Sequence, residues 1–302
     1  MSVKNILGSL MLAALPLSVP ASAQAPVQSQ SQASASTGRT DEIVVTADRD
    51  KEGPSVITRL RDMIDESGTS QLARFEASIC PMVIGMPRDL TAIITRIIRE
   101  NIVAAGGEVG KPGCKVNAVT IFIDQPQQLV IRLRKAEPFF FMNMTPREFS
   151  FFSEGRRAVY SWHTVNKYTK DGGFVFGNEV RSNGSRLYTS VRDEMESGIV
   201  VIDRQATIGK NVRQLADFAT MHLMLDVNWR ARRIDQNSIL ALFQKRNSDP
   251  ALQMSSFDRN ALHGFYMLKE NNQTAANQRQ NIARAIKRQE EAKPAVGTQP
   301  ER

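Results

Sequence analysis

Residues 211–226, NVRQLADFATMHLMLD, constrain the fold of this chain more than any other stretch. Read as a helix, its apolar side chains do not keep to one stripe: Val212, Leu215, Phe218, Met221, Leu223 and Leu225 go round the whole circumference. A helix without a continuous polar face must be covered on several sides. The chain therefore needs layers built around one buried helix. Its 302 residues leave room for one sizeable domain with tails. At 41% hydrophobic and 23% charged residues, the composition is that of an ordinary globular protein, so a core of that size can form.

The first residues, MSVKNILGSLMLAALPLSVPASAQA, set Lys4 before an apolar run at 6–19 and small residues before a cut near Ala23. That is the pattern of a secretory signal peptide, too short and wrongly flanked for a membrane anchor. The expectation is cleavage of 1–23 and a periplasmic or secreted protein with no transmembrane segment left. Cys80 and Cys114 are the only cysteines, and in an exported chain an even pair most simply forms a disulfide. Closing that loop is worth about 3–4 kcal/mol on the chain-entropy model. Two buried thiols are the alternative, while a pair without His or Asp companions is poor ground for a metal site. The formal charge is +8, one less once Lys4 is removed, and the isoelectric point is near 9.7. Such a balance favours anionic lipid or envelope polymer as a partner, and export ranks nucleic acid last.

Residues 24–54 read as a disordered Ser, Gln and Ala leader holding one short β-prone segment, Glu42, Ile43, Val44, Val45, Thr46 and Ala47. Residues 55–268 read as a single globular domain, and 269–302 as a basic polar tail, a frayed helix followed by disorder. Within the domain, helices are predicted at 55–66, 71–77, 87–105 and 127–135, and a strand at 117–123. Phe139, Phe140, Phe141, Met142 and Met144 are assigned to the core. Thr145 and Glu148 form a capping box. A strand at 158–168 places Tyr160, Trp162 and Thr164 on one face and Ser161, His163 and Val165 on the other, with Trp162 as anchor under the sheet. Strands at 187–192 and 198–203 flank an acidic turn with Asp193, Glu194 and Glu196. Past the central helix, Arg230, Arg232 and Arg233 are candidate contacts to an anionic surface, although positive charge at a helix C-terminus is also favoured by the dipole. The predicted class is α/β (α+β), a single mixed sheet with packed helices.

The order of elements in the C-terminal half carries a resemblance. An apolar strand (IVVID), the buried helix, SILALF and SSFDRNALHGFYML follow one another. This series resembles metzincin-like peptidases and their inactive relatives, which run through a strand, a zinc-binding helix, a Ser-Ile-Met-type turn and a closing helix. The resemblance implies a zincin-like scaffold and nothing of its chemistry. A zinc peptidase of this kind needs H-E-x-x-H, two imidazoles one helical turn apart with a glutamate between them. With His222 as the second ligand, Phe218 and Ala219 stand where the first ligand and the glutamate belong. With Asp217 as the glutamate, Ala216 and Thr220 stand at the ligand positions. No catalytic residue, metal ligand or cofactor is therefore predicted. The E-I-V-V-T-A segment resembles the TonB box of outer-membrane TonB-dependent receptors, which adds as a strand to a periplasmic partner. The remaining chain is too short for a receptor barrel, so the segment stands either as a docking strand for a periplasmic protein or as a plain β-prone leader.

Of the three histidines, His163, His222 and His263, the second is expected to pair with Asp226 four residues on. No nucleophile elbow, phosphate-cradling loop or Cys-His arrangement is present in the sequence. The reading is an exported, non-catalytic binding or interaction module on a degenerate zincin-like scaffold. Two rivals stay open: a hydrolase or metal protein with another set of residues, and an envelope protein held by charge to anionic polymer or lipid.

Overall fold

Four strands set the frame: β1 Pro81–Ile84, β2 Ala118–Ile123, β3 Val159–Thr169 and β4 Val191–Asp203, in the spatial order β1-β2-β4-β3. The computed structural model describes residues 54–66, 71–169, 171–175, 187–231, 233–244, 247–269 and 272–292. β1, β2 and β4 run parallel, and β3 closes one edge antiparallel to β4. The class is the predicted one, a mixed sheet with packed helices.

Strand β4 shows why the sheet is buried on both faces. Val200 and Ile202 point into one hydrophobic cluster and Ile199 and Val201 into another, so the run IVVI is apolar throughout. The first cluster lies under α2 (Arg88–Ala104) and α5 (Val212–Met224). The second lies under α3 (Pro126–Ala136) and α4 (Pro146–Ser153), the latter opened by the Thr145–Glu148 capping box. Trp162 anchors this second face, stacked on Phe141 at 4.7 Å and met edge-on by Phe152 at 5.9 Å. Only part of the aromatic run is core, however. Phe141 is buried, while Phe139 and Met142 are exposed.

Several expectations need correction. Residues 71–77, expected as a helix, are not helical, and their first part runs alongside the first half of β4: Gln71 accepts from Asp193 N (2.8 Å) and Met195 N donates to Arg74 O (2.9 Å). From Val191 onward the predicted strand pair and acidic turn are one continuous strand, β4, while 187–190 lie outside it. Its acidic residues are answered by cations, the buried Asp193 by Lys167 of β3 at 3.0 Å and Glu194 by Arg192 of the same strand at 2.5 Å. β1 was not foreseen. The tail correction is larger: α7 (Ala275–Glu291) packs Ile282, Ala283 and Ile286 into the main core, so the body does not end at 268.

Cys80 and Cys114 are bonded, tying the start of β1 to the turn before β2. None of the described helices is long and apolar enough to cross a membrane.

Candidate functional site

Helix α5 begins at an Asn211 cap, where Asn211 Oδ1 accepts from Gln214 N (2.8 Å) and Gln214 Oε1 accepts from Asn211 N (2.9 Å). Every residue from Gln214 to Met224 is buried. Its polar side chains are consumed by the fold. Asp217 accepts from Asn101 Nδ2 (2.8 Å) and Met254 N (2.7 Å) and pairs with Arg213 at 2.9 Å. Thr220 Oγ1 donates to Ala216 O and accepts from Asn101. Asp258, at the cap of α6 (Ser256–Tyr266), accepts from Ser238 Oγ (2.6 Å), Ile239 N and Ser255 N (2.9 Å each), which fastens the 238–241 turn to that helix. Burial raises the Asp258 carboxyl above its ordinary value, and these hydrogen bonds oppose the rise.

The two histidines that matter meet where α5 ends against the edge strand. Ser161 Oγ and His222 Nδ1 are 2.7 Å apart, both buried. His163 Nε2 donates to Leu223 O at 3.0 Å, capping a carbonyl that the helix leaves open, and Tyr266 Oη donates to Met224 O at 3.1 Å. Gly198 makes room for this junction: a Cβ there would stand 3.0 Å from Leu223 O and 3.1 Å from the His163 ring. The expected His222–Asp226 pair does not form. Asp226 lies past the last turn, 3.7 Å from His163 Nδ1. Burial, with a smaller contribution from His163, lowers the His222 pKa from 6.5 to about 3 and holds the ring neutral. His263 lies apart on α6.

The zinc of the resembled family does not fit these residues. One turn before His222 stands Phe218, whose ring lies 4.3 Å from the imidazole and 4.9 Å from Phe243. Among the described residues, no three His, Cys, Asp or Glu side chains gather as a metal site. His222 instead lines a cavity of about 290 Å³ between α5, the start of β3 and the 227–244 segment, with Phe152, Phe218, Trp229 and Phe243 in its walls. A polar cavity of about 180 Å³, holding Glu148, His163, Asp226 and Arg230, opens on the other side of Ser161 and Trp229. Two guanidiniums lie over the Trp229 indole, Arg157 at 4.5 Å and Arg230 at 4.4 Å from the ring centre. A larger cavity of about 720 Å³ lies elsewhere, beside α1 (Val56–Met63). Its Arg59 is already paired with Asp235 at 2.6 Å and stacked on Phe257.

Of the candidate anionic-surface contacts, Arg230 is drawn onto Trp229 and lies 3.7 Å from Asp65 and 3.8 Å from Glu148. Arg233 is exposed at the 720 Å³ cavity, and Arg232 lies outside the described residues. The candidate docking strand, Glu42 to Ala47, also lies outside them. The sequence reading missed the Ser161–His222 pair and the Arg157–Trp229 stack. Strand alternation had placed Ser161 and His163 on one face, which is the face α5 covers, but nothing local names a partner 61 residues away. No protein-family model, curated protein or solved structure matches the chain.

Proposed function

We propose that this protein is an exported, non-catalytic binding module on a degenerate zincin-like scaffold, with its ligand site in the cleft where α5 meets β3. The succession β4, α5, 238–241 turn and α6 supports the scaffold reading, because it follows the order of the resembled series. The observation that carries the functional part is the state of His222. Its Nδ1 is spent on Ser161, its ring is neutral, and a phenyl ring occupies the place of a companion ligand. What remains is a shaped cavity with Phe152, Phe218, Trp229 and Phe243 in its walls, of a size that suits ligand retention. The disulfide supports an oxidising compartment.

The test is zinc titration by calorimetry beside a generic peptide-cleavage assay, with His222→Ala as control. No stoichiometric zinc uptake and no cleavage are expected. One-to-one zinc binding that His222→Ala removes would overturn the reading.

A hydrolytic reading draws on one observation, the 2.7 Å Ser161–His222 contact, which has the reach of a nucleophile–base pair. A general base works best with a pKa near the working pH, and this imidazole is held near 3 with no carboxylate bonded to it among the described residues. A fluorophosphonate probe should leave Ser161 unlabelled, and labelling at that residue would establish the hydrolase instead.

A further inference from the structure

The 290 Å³ cavity carries a guanidinium that no carboxylate among the described residues meets in an ion pair. Arg157 lines its wall, half-buried, with its guanidinium over the Trp229 ring and Nη2 donating to Phe151 O at 3.0 Å. It makes no ion pair with a carboxylate among the described residues, and the same indole also carries a second cation, Arg230. Burial lowers its pKa, with Arg230 acting the same way and Tyr160 and Glu154 opposing the fall. A desolvated guanidinium is stabilised by a carboxylate that can take two of its N–H groups at once. Behind it the walls are aromatic, Phe218 and Phe243 edge-on to one another at 4.9 Å. At the inner end lies His222, 93% buried, with Nδ1 taken by Ser161 and Nε2 left for a ligand.

Resting on the binding reading above, we infer that this cavity takes a small aryl or arylalkyl carboxylate. Its ring lies against the wall that Phe218, Phe243 and Trp229 form, its carboxylate meets Arg157, and His222 Nε2 meets a polar substituent at the far end. A neutral apolar guest would fill the walls but leave the guanidinium unanswered. A phosphate would answer the guanidinium but leave the aromatic walls empty.

Benzoate, indole-3-acetate and their amides, titrated into the full chain by calorimetry with Trp fluorescence in parallel, test this directly. The acids should saturate at one per chain, the amides should bind about tenfold or more weakly, and Arg157→Gln should remove the difference. Equal binding of acids and amides, unchanged in Arg157→Gln, would overturn the charge assignment while leaving a binding cavity. Binding of inorganic phosphate but neither acid would overturn the ligand class. Absence of binding by every probe would overturn the inference altogether, whereas the binding reading itself falls only on the zinc and peptide assays. Should Arg157→Gln not fold, as read by thermal unfolding, the acid–amide comparison on the unaltered chain still decides.

Discussion

Asp217 lies fully buried in the central helix, where Asn101 Nδ2, Met254 N and Arg213 converge on its carboxylate. Removing it strands two buried donors, so Asp217→Ala should cost about 3 kcal/mol, read as a lower urea midpoint, and an unchanged midpoint would show these bonds to be idle. His222 supplies a test by pH. Its folded pKa, about 3, lies below its ordinary 6.5, so on acidification the unfolded chain takes the proton first. Its contribution is complete above about pH 6.5 and is lost as pH falls toward 3, at a slope approaching about 1.4 kcal/mol per pH unit. His222→Gln, which keeps a polar group toward Ser161, should flatten that slope between pH 6 and 4, as measured by denaturant unfolding. At this scale the sequence told half the story. The polar residues inside an apolar helix were visible in NVRQLADFATMHLMLD, but their partners are Asn101, Ser161 and Met254, each from another element. The nearest candidate along the helix, Asp226, turned out to serve His163 instead.

At the scale of elements, periodicity was reliable where one face was apolar and failed where charge is answered across strands. The helices at α2 and α5 and the strand β2 stood where their patterns predicted. The first half of β4 did not, because Asp193, Glu194 and Glu196 read as a turn unless Lys167 and the side chain of Gln71 are known to lie beside them. A helix was expected in the tail, but its packing was not, because Ile282 and Ile286 stand as a lone i, i+4 pair among Gln, Arg and Lys. Ile282→Ala should destabilise the protein by about 2–4 kcal/mol while Lys287→Ala, on the exposed side, stays within about 0.5. Equal effects would mean that α7 does not pack. Gly198→Ala tests how α5 seats on the sheet: the added methyl meets Leu223 O and the His163 ring, and a loss of about 1–3 kcal/mol is expected in thermal unfolding.

For the molecule as a whole, the sheet is closed on one side by α2 and α5 and on the other by α3 and α4, and the Cys80–Cys114 bond ties β1 into that arrangement. Reduction should lower stability by about 3–4 kcal/mol, chiefly through the unfolded chain, so the native far-ultraviolet spectrum should persist in mild reductant. The layers leave a cavity at the end of the central helix, with the buried His222 in its lining. The proposed function turns on that ring being neutral and unmetallated. Long-range nitrogen–proton NMR of the His222 imidazole, recorded from pH 7.5 to 4.5 with and without zinc, measures this most directly. Ring nitrogen shifts that stay those of a neutral imidazole across the series and ignore zinc are the predicted result. A titration centred near 6.5, or a shift of the His222 nitrogens on adding zinc, would contradict it.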